Sequence, residues 1–152
     1  MALQGKKLII MKNLSNFLDR IANWKTLLVF LFISIVFNGY ILKNTEAKIN
    51  ELAGKAVGVI DLTFGFNPQK TLSMVAYYGD AARVYYAKSE MTTDVLYPIV
   101  YAFLFGIILT LLYRKKPFRW INILPFFTLI MDLLENINII ALLKTFPEQS
   151  NT

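Results

Sequence analysis

Three long apolar blocks constrain this chain more than any other feature. They are "TLLVFLFISIVFNGYIL" at Thr26–Leu42, "VLYPIVYAFLFGIILTLLY" at Val95–Tyr113 and "WINILPFFTLIMDLLENINIIALL" at Trp120–Leu143. At 1.5 Å per helical residue, 17 to 24 residues reach about 25–36 Å, which brackets a hydrocarbon core of about 30 Å. Helices satisfy their backbone groups internally, so lipid tolerates them where it excludes open strands. The expectation is an all-α integral membrane bundle with three spans, its principal partner the lipid bilayer. Trp24, Tyr40, Tyr97, Tyr113 and Trp120 fall near block ends, as interfacial aromatics do.

The net charge of +6 is distributed for orientation in a bilayer rather than for nucleic acid, and no nucleic-acid partner is expected. Lys6, Lys7, Lys12, Arg20 and Lys25 precede the first block against one acid, Asp19. Arg114, Lys115, Lys116 and Arg119 separate the second and third blocks with no acid among them. The connection over 43–94 carries six bases and six acids. Basic residues are retained in the cytoplasm. This places the N-terminus and the "RKKPFR" turn inside and the 43–94 connection outside. The first block reads as an uncleaved anchor, because a long polar lead precedes it and it exceeds the apolar core of a signal peptide.

Around the spans, residues 10–23 form an amphipathic helix. Ile10, Leu14, Phe17, Leu18 and Ile21 follow helical spacing, which suits the inner membrane interface or a seat on the protein itself. In the outer connection, Asn67-Pro68 is an N-cap and first helical position, and a helix is expected over about 68–89, forming an extracytoplasmic cap. Before it, Ile60, Leu62, Phe64 and Phe66 alternate with Asp61, Thr63, Gly65 and Asn67 as a short extended segment would. Pro98 and Pro125 fall inside spans, where each removes a backbone donor.

The chain has no cysteine and no histidine. Disulfides, thiolate chemistry, zinc on His or Cys and a Ser-His-Asp triad are therefore excluded. Acid–base work would fall to Asp, Glu, Tyr, Lys or Arg. No cofactor and no metal are expected, since an all-oxygen Mg²⁺ or Ca²⁺ site would have no motif behind it.

Within the third block, Asp132, Glu135 and Asn136 share one helix face at i, i+3 and i+4. Each carboxylate costs about 2.5–3.5 kcal/mol to insert, and about fifteen large apolar residues at 0.3–0.6 kcal/mol each roughly offset two of them. The helix can insert, but that face should turn toward protein. The groups placed to meet it are Asn38 of the first span, Asp94, Tyr97 and Tyr101 of the second, and Arg83 of the outer helix, which could pair with Glu135 or Asp94. The candidate site is thus a polar pocket in the outer half of the membrane, built from Asn38, Arg83, Asp94, Tyr97, Tyr101, Asp132, Glu135 and Asn136. Asp94 alone also reads as the N-cap of the second span.

"GDAAR" at Gly79–Arg83 contains part of the core of CDP-alcohol phosphotransferases, but its Gly and Asp are reversed and the downstream aspartates are missing. A different resemblance covers about half the chain. Tyr77 or Tyr78, Gly79, Arg83 and Tyr86 are followed by Thr93, Asp94, Tyr97, Pro98 and Tyr101, then by Asp132, Glu135 and Asn136. This pattern resembles a set of uncharacterised small bacterial multi-span membrane proteins. The resemblance implies four spans, a bacterial cytoplasmic membrane and no assigned activity. A chain with three spans either departs from that pattern or is a truncated four-span bundle.

The functional expectation is a non-enzymatic membrane module whose polar pocket stabilises the bundle and binds a lipid or small-molecule ligand. The alternative is a membrane-embedded enzyme or proton-coupled carrier using Asp132 and Glu135.

Overall fold

Helix punctuation follows local chemistry closely. The computed structural model describes residues 2–63, 65 and 67–147, with side chains from Met11 onward. Helix α1 spans Ala2–Ile21 and α2 spans Trp24–Val36. Between them Asn23 caps α2: its Oδ1 accepts from Lys25 N at 2.9 Å and Thr26 N at 3.1 Å, and its Nδ2 donates to Thr26 Oγ1 at 2.9 Å. A π-helical stretch, Phe37–Ile41, leads directly into α3 at Leu42–Ala53. That helix stops at Gly54, whose φ of 69° is left-handed. Gly54 N donates to Glu51 O at 3.1 Å and Lys55 N to Asn50 O at 3.2 Å, the paired bonds of a Schellman end.

Helix α4 runs Pro68–Glu90, and Asn67 caps it through a 3.0 Å bond from Lys70 N, as its sequence requires. It is not one smooth helix. Gly79 has φ 67° and ψ 172°, a conformation outside the helical region that only glycine adopts readily. Helix α5 follows at Thr93–Tyr113 with Pro98 inside it. Asp94 therefore lies within the first turn rather than capping the helix, which starts at Thr93, two residues before the expected Val95. A 3₁₀ segment, Arg119–Ile123, leads into α6 at Leu124–Thr145. Pro125 thus sits in the first turn of α6, where a missing N–H costs little, within the apolar run Arg119–Thr145.

Residues 60–63 form turns rather than an extended segment; Phe64 and Phe66, which completed the alternation, lie outside the described residues. No strand occurs among the described residues. Three helical runs are long and apolar enough to cross a membrane: Trp24–Ala53, Pro68–Tyr113 and Arg119–Thr145. The protein is an all-α bundle with the composition of a multi-pass membrane protein.

The chain forms two compact units. The first comprises residues 1–36 and 97–131. Its interior holds Leu18 of α1 and Ala22 just after it, Ala102, Leu104 and Ile107 of α5, and Ile123 of the 3₁₀ segment. The amphipathic N-terminal helix is thus seated on the protein through Leu18. Gly106 makes this close approach possible: a Cβ there would lie 3.2 Å from Asn122 O and 3.3 Å from both Leu18 Cδ1 and Phe126 Cε2. Phe103 is stacked on Phe30 and meets Phe17 and Phe126 edge-on. The basic turn then clamps α1. Arg114 Nη2 donates to Asp19 O at 3.1 Å and Ala22 O at 2.7 Å, satisfying carbonyls that the end of α1 leaves open. The second unit comprises residues 37–96 and 132–152. Its core is Ile49, Met74, Val75, Tyr78, Ala82, Tyr86, Ala87, Ile139 and Leu143.

Candidate functional site

Two tyrosines on α4, one on each side of the break at Gly79, organise the second unit. Their rings meet edge-to-face at 5.5 Å, and both are buried. The Tyr78 hydroxyl donates to Gly58 O at 3.0 Å. The Tyr86 hydroxyl donates to Asp61 Oδ1 at 2.9 Å and accepts from Ile60 N at 2.8 Å. Asn50 Oδ1 accepts from Val57 N at 2.8 Å and Gly58 N at 2.9 Å. The connection between α3 and α4 is therefore held by side chains rather than by secondary structure. Burial, then the charges of Asp61 and Glu90, raises the Tyr86 phenol far above its ordinary value, so it remains a protonated donor. Burial and the nearby Asp61 carboxylate likewise raise that of Tyr78.

Glu90 closes α4, one turn after Tyr86 and outside the apolar stretch over 95–113. It is 1% exposed, and neither carboxyl oxygen has a hydrogen-bond partner. The Tyr86 hydroxyl stands close enough to hold this carboxyl down a little, but its single proton is committed to Asp61. Among the described residues no basic side chain forms an ion pair with Glu90. Burial first, then the charges of Asp94 and Asp61, pushes this carboxyl up to about 8. Such a group holds a proton near neutrality and releases it above.

Of the expected pocket residues, Arg83, Asp94, Asp132, Glu135 and Asn136 belong to this unit. Asn136 is buried, and its Nδ2 donates to the Asp94 carbonyl at 2.7 Å, tying α6 to the start of α5. Asp132 is half-buried, whereas Glu135 lies on the surface. The helical repeat explains the difference. At about 100° per residue, Asn136, Ile139 and Leu143 define the buried stripe and Asp132 falls in line with it, whereas Glu135 stands about 100° from Asn136, at the stripe's edge beyond Ile139. Asn138, off the stripe, bonds its own helix at Leu134 O over 2.8 Å.

Arg83 pairs with Asp80 rather than with Glu135 or Asp94. It also donates to Val75 O at 3.3 Å, and its guanidinium carbon lies 4.9 Å from the centre of the Phe146 ring. Arg83 reaches back across the break at Gly79 to meet the Val75 carbonyl. "GDAAR" is thus a kink with its own fastening. Asn38 lies in the π-helical stretch and is exposed. Tyr97 and Tyr101 belong to the first unit, where their rings meet at 5.6 Å and 71°.

Asp61, Tyr86 and Glu90 were not among the expected site residues. Tyr86 and Glu90 share a helix face at i, i+4, which was legible. That the connection would carry Asp61 onto Tyr86 was not, since they are 25 residues apart. Among the described residues no group of carboxylates is arranged to hold a metal ion. No family model, curated protein or solved structure matches this chain.

Proposed function

We propose that this chain is a non-enzymatic module of the bacterial cytoplasmic membrane that binds and releases a proton at Glu90. Its N-terminus and the Arg114–Arg119 turn face the cytoplasm, and the connection with α4 forms an extracytoplasmic cap. One observation carries the reading: a carboxyl group at 1% exposure, with no hydrogen-bond partner, stands near Asp94 and Asp61 at the end of α4. Its charged form lacks both solvation and a counter-ion. Its neutral form is compatible with burial beside the Tyr86–Asp61 bond. Proton release therefore acts directly on the point where the connection is fastened to α4.

Infrared difference spectra of the reconstituted protein, taken on either side of pH 8, test this. A protonated-carboxyl band should appear on the acid side and be missing from Glu90→Gln. Retention of the whole band in that variant would overturn the assignment to Glu90. Orientation is tested separately, because the natural chain has no cysteine. In intact cells an impermeant maleimide should label Leu62→Cys and leave Lys116→Cys unmodified; the reverse pattern would invert the topology.

A further inference from the structure

The first unit contains a second polar feature, unrelated to Glu90. A cleft of about 420 Å³ is lined by Met11, Lys12, Ser15, Arg119, Trp120 and Ile123. Ser15 is 4% exposed, yet its hydroxyl has no hydrogen-bond partner. A buried hydroxyl without a partner costs free energy unless something else fills the role. Two cations line the same cleft, which suits an anionic partner. Lys12 makes no ion pair among the described residues. Arg119 is held on one edge by α1, with Nη2 at 2.9 Å from Asn16 Oδ1 and Nη1 at 3.5 Å from Asp19 Oδ2. That leaves guanidinium donors over for a ligand.

The remaining walls are apolar. Met11, Trp120 and Ile123 offer a surface for hydrocarbon, and Trp120, 52% exposed, is an interfacial residue type. The described side chains of this unit include Lys12, Arg20, Lys25, Arg114, Lys115, Lys116 and Arg119 against Asp19 alone. Cations and a hydroxyl at one end of a cleft, with apolar walls beside them at the end of membrane helices, match a phosphate joined to an acyl chain. A free phosphate would leave the apolar walls unused.

We propose that this cleft binds an anionic phospholipid, its phosphate meeting Lys12, Arg119 and the Ser15 hydroxyl and its acyl chain lying along Met11, Trp120 and Ile123. The lipid is drawn from the leaflet at the membrane face that carries α1 and the Arg114–Arg119 turn. It would satisfy the Ser15 hydroxyl and fasten α1 to the 3₁₀ segment.

The chain has two tryptophans, so Trp24→Phe leaves Trp120 as the sole reporter. This full-length variant is placed in phosphatidylcholine nanodiscs containing a minor fraction of brominated phosphatidylglycerol, or the same fraction of brominated phosphatidylcholine. Trp120 should be quenched more by the anionic lipid, and unlabelled phosphatidylglycerol should restore its emission. Lys12→Gln should weaken the preference about fivefold, the loss expected for one cation at the surface. Ser15→Ala should weaken it further, while Lys55→Gln, in the other unit, should leave it intact. Equal quenching by both lipids overturns the proposal, as does an unchanged preference in the Lys12→Gln, Ser15→Ala double variant. Restoration of emission by inorganic phosphate alone would reduce the site to a phosphate site and overturn the lipid assignment.

Discussion

The Tyr86 hydroxyl lies 2.9 Å from Asp61 Oδ1 and donates its only proton there, leaving Glu90 on the same helix without a donor. The same oxygen accepts from Ile60 N at 2.8 Å, so one phenol fastens the connection at two points while its proton is turned away from the neighbouring carboxyl. Removing that oxygen should be costly. Tyr86→Phe strands the Ile60 N–H and the Asp61 carboxylate, and about 1–3 kcal/mol of stability should be lost. Tyr78→Phe strands one carbonyl, that of Gly58, and should cost less, about 1 kcal/mol. Denaturant unfolding in micelles measures both, and equal losses would contradict the ranking.

Glu90 should make stability depend on pH. Its carboxyl value is raised in the fold from an ordinary 4.5 to about 8, so between these values the folded state binds more proton than the unfolded chain. Stability is then unaffected below 4.5, falls as pH rises through 8, and levels off above it. Asp94, raised from 3.8 to about 6, adds a fall of the same sign below that value, so Glu90→Gln should flatten the slope between pH 6 and pH 8 and be the more stable protein on the alkaline side. Thermal unfolding across the range provides the check. A wild type whose midpoint rises between pH 4.5 and pH 8 would refute the sign.

The break in α4 should depend on its glycine for conformation and not for space. No atom lies within 4 Å of a Cβ built on Gly79, but its φ of 67° with ψ of 172° excludes side chains. Gly79→Ala should cost about 1–3 kcal/mol. Arg83→Gln should cost about 1 kcal/mol through the lost bond to the Val75 carbonyl and the Phe146 contact. If Gly79→Ala is neutral, the positive φ is not a feature of the fold.

Gly106 presents the opposite case. Its Cβ would press on the backbone oxygen of Asn122, which cannot yield as a side chain can. Gly106→Ala should destabilise by about 1–3 kcal/mol and loosen α1 from α5. Gly39, with nothing within 4 Å and an ordinary helical φ, is the matched control. Gly39→Ala should be neutral or stabilise by up to about 1 kcal/mol. Proteolytic release of α1 in Gly106→Ala but not in Gly39→Ala would confirm the contact; similar behaviour of the two would exclude it.

Much of the fold was legible because local rules carried it. The apolar blocks and the Asn67-Pro68 start each depend on a few adjacent residues. The site was less legible. Asp132, Glu135 and Asn136 were read as one inward face, yet the buried stripe passes through Asn136 and misses Glu135. Spacing defines which residues neighbour one another on a helix, but the packing partner chooses where the centre of the buried face falls. Arg83 was matched with distant acids, and it met Asp80 and the Val75 carbonyl across a kink that no periodicity announces. Arg114 and Arg119 were read for orientation alone, while both also hold α1.

Sequence alone therefore determined the material of this protein: helices of membrane-crossing length, their ends, and the basic turn between the last two. These follow from hydropathy, helix geometry and capping, which act over a few residues. Only the tertiary structure decided that Asp61 meets Tyr86, that Glu90 is buried without a donor, and that Lys12, Ser15 and Arg119 line one cleft. Those are contacts between residues far apart in the chain, and their energies depend on burial and distance, which no local pattern encodes.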